Sequence, residues 1–178
     1  MSALKAYLKE IVNVAAVMGL GDMVAQFGIE KKPLNEWDTG RTLRFGALGL
    51  VFVGPVLRQW YIFLESRVPK TLNPMRRCVT KMLADQCIIA PPFTLAMSFL
   101  VPLVNGEPAD QIRKRIFEYY PSLLARNYML WPAAQLINFR FVPLSHQVLY
   151  VQCVALIWNS YLSLVLNKTV DPHPNPTK

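Results

Sequence analysis

Residues 82–104 read MLADQCIIAPPFTLAMSFLVPLV, a run with one carboxylate, Asp85, and no basic residue. A helix rises 1.5 Å per residue, so about 20 residues cross a hydrocarbon core, and this run is long enough. Four others accompany it: Ile11 to Phe27, Leu43 to Leu64, Leu123 to Phe141 and Val148 to Leu166. Helices of soluble domains are usually only about three to four turns long. The five runs therefore predict an all-α fold, a polytopic transmembrane helical bundle with four to five membrane-embedded helices. Pro91, Pro92 and Pro102 in the third run and Gly54-Pro55 in the second predict that some of these helices are kinked. The fourth run holds Arg126, Asn127, Pro132, Gln135, Asn138 and Arg140, which makes it the least hydrophobic and an amphipathic or re-entrant candidate.

Outside the runs, Glu30 to Arg41, Ser66 to Lys81, Asn105 to Pro121 and Val142 to Gln147 are turn-rich and charged, and read as loops or interfacial segments. With no internal repeat and no linker, residues 1–170 read as a single membrane-embedded domain and 171–178 as a flexible proline-rich tail. Hydrophobic residues make up 53% and charged residues 17%, a bias away from a soluble surface. The formal charge of +8 suits nucleic acid or anionic lipid headgroups. Clusters such as Arg76-Arg77 and Arg113-Lys114-Arg115 sit between apolar runs, which favours lipid and argues against direct nucleic-acid binding. Lysine and arginine divide almost evenly between the two sides, so the charge bias leaves orientation open.

Several chemistries find no residues to carry them. Cys78, Cys87 and Cys153 are too few and too irregular for a disulfide framework or a zinc half-site. His173 lies in the tail and His146 in a short connector, so no general base is assembled and no catalytic residue is assigned. Gly46, Gly49 and Gly54 match neither a phosphate loop nor a dinucleotide fingerprint. No metal or cofactor is expected. The N-terminus lacks a secretory signal and has no arginine before Arg41, so any import information is expected to be internal.

The informative feature is where polar residues fall within the apolar runs, because helical neighbours lie three and four apart. Ala15, Gly19, Asp22 and Gln26 share one stripe of the first run. Thr42, Gly46 and Gly49 form a small-residue face in the second, with Arg58 beyond it. The third opens with Lys81 and Asp85 spaced as an intrahelical ion pair, followed by Gln86. Asn127, Trp131, Gln135 and Asn138 align in the fourth run, and Gln152, Ala155, Asn159 and Ser163 in the fifth. These edges either line a water-accessible path or hydrogen-bond helix to helix. Candidate intramembrane polar residues are Asp22, Gln26, Arg58, Lys81, Asp85, Gln86, Asn127, Gln135, Asn138 and Asn159. Trp37, Trp60, Tyr61, Trp131, Trp158 and Tyr161 lie at run ends, suited to a membrane interface or to core packing.

These motifs resemble the Mpv-seventeen and twenty-two-kilodalton peroxisomal membrane protein family. The resemblance runs from about Gly19 to Ser163 and includes Gly21-Asp22 with Gln26, Gly40-Arg41-Thr42-Leu43, Gly54-Pro55, Trp60-Tyr61 and Asp85-Gln86. Its most specific part is Asn127-Tyr128, Leu130-Trp131-Pro132-Ala133, Gln135-Leu136, Asn138-Phe139 and Ile157-Trp158-Asn159-Ser160-Tyr161. One departure is Gln147, where the family usually has arginine four residues after the equivalent of Pro143. The resemblance implies an integral multi-pass protein of the mitochondrial inner membrane, or alternatively of the peroxisomal membrane. It implies a channel-like activity that modulates membrane potential, with a role in deoxynucleotide supply and mitochondrial DNA maintenance. The expected partners are the lipid bilayer, small polar or anionic solutes and further copies of the chain as a homo-oligomer. The alternative is a non-conducting scaffold or assembly factor that uses its glycine face and basic loops.

Overall fold

The computed structural model describes residues 3–169, with side chains in the outermost turns excepted. All regular structure in these residues is helical. Five helices follow one another: α1 (3–29), α2 (Thr39–Arg67), α3 (Pro74–Val104), α4 (Ala109–Phe141) and α5 (Gln147–Thr169). Tyr7–Ile29 of α1, all of α2 and all of α3 are long and apolar enough to span a membrane, and Leu144–Trp158 is a shorter apolar helix. The predicted tail, 171–178, lies outside the described residues.

Local chemistry sets the boundaries. Asp38 caps α2 by accepting from Arg41 N at 2.8 Å, and Asn73 caps α3 by accepting from Met75 N at 2.9 Å, with Pro74 in the first turn. Val68 and Val142 are extended, each followed by a proline that disfavours helix at the preceding residue, and there α2 and α4 stop. Gly106, at φ +85°, closes α3 in the left-handed region.

Two sequence expectations need correcting. Ser66 to Lys81 and Asn105 to Pro121 are not mainly connectors, because α3 begins at Pro74 and α4 at Ala109. Asp110, Arg113, Lys114, Arg115 and Glu118, which marked the second segment as a loop, are exposed on α4, while Ile112 on the same helix is fully buried. The fourth apolar run is thus the second half of a 33-residue helix.

α2 and α3 each open into one wide turn with i→i+5 bonding, Gly49–Val53 and Asp85–Ile89, just ahead of Pro55 and of Pro91-Pro92. A proline collides with the carbonyl four residues earlier, here Val51, Cys87 and Ile88, and all three lie within those wide turns. A third wide turn, Ala25–Ile29, ends α1.

α1 packs against α2 and α5, α4 lies along the whole of α3 and touches α5, and α2 bridges the two groups. The glycine face of α2 makes the α1 contact. A Cβ on Gly49 would lie 2.9 Å from Met18 Sδ and 3.0 Å from Ala15 Cα, whereas one on Gly46 would stand 3.6 Å from Ala15 O. Gly49→Val is expected to cost about 1–3 kcal/mol by overpacking, and Gly46→Ala almost nothing. Unfolding in mixed micelles checks this, and equal effects of the two changes would refute the close-packing account.

The distribution of polarity inverts that of a soluble protein. Val14, Leu48, Val53, Leu57, Tyr61, Leu64, Val148 and Val151 form a buried apolar cluster, but Asp22, Gln26, Asp85, Gln135 and Asn138 are as deeply buried. Facing outward are Val51 at 75% exposure, Met129 at 84% and many other large apolar side chains. Water would penalise so much exposed hydrocarbon, and lipid would not.

Candidate functional site

The polar edges meet in three clusters. At the end near the first connector, Asp22 of α1 is 3% exposed and takes three donors. Arg41 Nε reaches Oδ1 at 2.6 Å, while Thr42 Oγ1 at 2.7 Å and Gln26 Nε2 at 2.8 Å reach Oδ2. Gln26 also closes a reciprocal pair with Asp38, receiving its backbone N–H at 2.9 Å and donating to its carbonyl at 3.0 Å. Arg41 extends to Glu30 at 2.7 Å, and that hydrogen bond holds the Glu30 carboxyl below its ordinary range. Asp22 and Gln26 of α1 and Asp38, Arg41 and Thr42 at the start of α2 are therefore parts of one clasp between the two helices.

At the opposite end of α1, buried Glu10 stands 3.2 Å from Arg58 of α2, and Arg58 also donates to the Leu144 carbonyl at 3.0 Å. Next to this contact Gln147, 4% exposed, donates to the Val142 carbonyl at 3.1 Å. At the position where the resemblance led one to expect an arginine, this chain has a buried residue that ties the α4–α5 turn.

The third cluster joins α2, α3 and α4. Asp85 accepts from Trp60 Nε1 at 2.9 Å, Gln86 Nε2 at 2.8 Å and Gln135 Nε2 at 2.9 Å. Gln135 also donates to Tyr61 Oη at 3.0 Å and accepts from Asn138 at 2.9 Å. Tyr61 is 1% exposed, so it is a core residue and not an interfacial one. Farther along the α3–α4 seam, Tyr128 Oη donates to the Gln86 carbonyl at 3.0 Å and Asn127 donates to Thr94 Oγ1 at 2.7 Å.

The expected Lys81–Asp85 pair is not formed. Lys81, 3% exposed, turns to Glu65 of α2, which also takes Arg77 at 2.5 Å. Helical spacing permits the pair, yet the ammonium finds a carboxylate across the helix interface while Asp85 is occupied by neutral donors. Asp22, Gln26, Arg58, Asp85, Gln86, Asn127, Gln135 and Asn138 thus all lie in the three clusters, and Lys81 lies outside them, in a fourth interhelical group with Glu65 and Arg77. The Asn159 side chain lies outside the described residues. Glu10, Arg41 and Glu65 were missed: each sits at or beyond the end of an apolar run, and what makes it informative is a partner at least eleven positions away. Among the described residues no group of three His, Cys, Asp or Glu could hold a metal ion.

Outward-facing hydrocarbon, three long apolar helices and buried polar clasps define an integral, multi-pass α-helical membrane protein. Residues 102–163 match the model of the Mpv17 / PMP22 family. The chain is 71% identical over 167 residues to the mitochondrial inner membrane protein Mpv17 of Drosophila melanogaster, covering 94% of this chain and 99% of that one. Identity to the human protein of the same name is 43% over 154 residues, 86% of each chain. Identity to protein sym-1 of Neurospora crassa is 30% over 161 residues, 90% of this chain and 92% of that one. No solved structure matches. The chain belongs to the Mpv17 / PMP22 family, a family of membrane proteins and not of enzymes, and resides in the mitochondrial inner membrane.

Proposed function

We propose that this inner-membrane protein passes small polar solutes along the seam between α2, α3 and α4, and so modulates the membrane potential. One observation carries the reading. Asp85 lies inside a membrane-length helix, 3% exposed, and the side chains that donate to it, Trp60, Gln86 and Gln135, are all neutral. An ionisable group inside a span costs about 2.5–3.5 kcal/mol, and such groups mark solute and ion pathways when no cation offsets them. Gln86 Oε1 and Asn138 Oδ1, in the same cluster, are buried acceptors with no hydrogen-bond partner, available to a permeating polar group. Deoxynucleotide supply and mitochondrial DNA maintenance, implied by the family resemblance, enter as part of this proposal.

Purified protein in planar bilayers tests it. The wild type is expected to conduct, and Asp85→Asn to change conductance or shift the reversal potential, whereas Asp22→Asn acts on stability because Asp22 is clasped by Arg41. A silent bilayer with correctly folded wild type would favour the scaffold reading. That reading has lost one support: the glycine face it would offer to partners is covered by α1 of the same chain.

A further inference from the structure

A second feature has no place in the solute seam. Where the α2–α3 turn meets the end of α4, a cavity of about 260 Å³ is lined by Lys70, Arg77, Lys81 and Arg140, with Cys78 and Phe139 among the remaining walls. None of its lining residues is acidic. Glu65, bonded to both Arg77 and Lys81 from α2, is the carboxylate that serves this group. Four cations against one carboxylate leave a strong positive excess in a partly enclosed space. Like charges held this close repel one another, and where low-dielectric walls exclude water the repulsion is poorly screened.

Two independent details indicate what would relieve it. Arg77 Nε is buried with no hydrogen-bond partner, so one edge of the guanidinium is still an unspent donor. Pro74, which also lines the cavity, opens a 31-residue helix whose positive end therefore lies at the same place. Guanidinium, ammonium and a helix N-terminus together are the donor set that recognises phosphate oxygens. Basic pockets between membrane helices bind phospholipid headgroups with the same set.

We infer that this pocket binds a phosphate group, carried either by an anionic phospholipid headgroup or by a free phosphorylated solute. Lys81 and Arg77 form its floor, already held by Glu65, and the exposed Lys70 and Arg140 close on the ligand from the rim. The inference is independent of conduction: the pocket would bind phosphate in a silent protein as in a conducting one.

The test uses the purified full-length chain in neutral detergent, with inorganic pyrophosphate as the soluble probe and phosphatidylglycerol as the lipid probe. Phosphatidylcholine gives the zwitterionic baseline. Binding is read by native mass spectrometry and by the shift in melting temperature. Lys70→Gln with Arg140→Gln removes two rim charges, both exposed and neither bonded to Glu65, so the fold is kept and is checked by unliganded melting. Arg113→Gln with Lys114→Gln removes the same charge elsewhere, on α4. Binding of at least one probe, weakened about tenfold or more by the rim pair and little changed by the α4 pair, is expected. Pyrophosphate alone would identify a soluble ligand, phosphatidylglycerol alone a headgroup, and both the shared chemistry. Binding of neither probe above baseline would overturn the inference, and so would equal weakening by both pairs, which is general attraction to a basic protein.

Discussion

Arg41→Gln should destabilise the bundle by about 3–5 kcal/mol, and adding Asp22→Asn should recover most of that loss. Asp22 has 1% of its side chain exposed and Arg41 16%, at 2.6 Å, so the glutamine variant leaves a buried carboxylate held only by Thr42 and Gln26. Removing one partner of a buried ion pair is far costlier than removing both, because the survivor keeps its desolvation penalty without its compensation. The amide that replaces the Asp22 carboxylate can still accept from Thr42 and pair with Gln26, so the double variant retains the neutral half of the clasp. Reversible unfolding in mixed micelles gives all three free energies. A double variant no more stable than Arg41→Gln alone would show that Arg41 acts through Glu30 and not through Asp22.

The second large effect is expected at Glu65. Glu65→Gln removes the carboxylate from a lysine whose side chain is 4% exposed and from Arg77, and a loss of about 3 kcal/mol follows. It stands at the lower end of the range because the Glu65 side chain is 30% exposed and water takes over part of the work. Lys81→Met in the same background should restore stability, since a buried apolar chain of similar length keeps the packing against Phe139 without a stranded charge. The melting temperatures of the single and double variants decide it. If methionine fails to rescue, Arg77 is the residue that depends on Glu65.

The helices themselves were legible because lipid demands a simple pattern: long apolar runs with the few polar residues on one edge. Asp85, Gln135 and Asn138 meet as the stripes required, and Asn127 finds Thr94 across the same seam. Partner choice was less legible. Helical spacing proposed Lys81 with Asp85, but burial selects whichever carboxylate closes the bond, and that was Glu65, sixteen positions upstream. The Glu10–Arg58 contact gives no local signal at all, since the two lie on different helices, forty-eight positions apart in the chain. The wide turns are invisible for another reason. Each adds one residue to a turn without changing composition, and it shifts the phase of every stripe beyond it, so a stripe read with one period through Gly49–Val53 or Asp85–Ile89 drifts off its face.

The partnership of α3 with α4 bears on how the protein is made. As an isolated segment α4 would be refused by the bilayer, with Arg126, Asn127, Gln135, Asn138 and two internal prolines, Pro121 and Pro132. Three of its polar side chains find partners on helices that precede it in the chain: Tyr120 the Pro91 carbonyl, Asn127 Thr94, and Gln135 Asp85 and Tyr61. Insertion therefore has an order. The machinery that delivers the chain must either hold α4 until α2 and α3 are in place or release α3 and α4 together as a hairpin. A chain stalled after Val104 would leave Asp85 without Gln135 and expose to lipid the α3 surface that α4 covers.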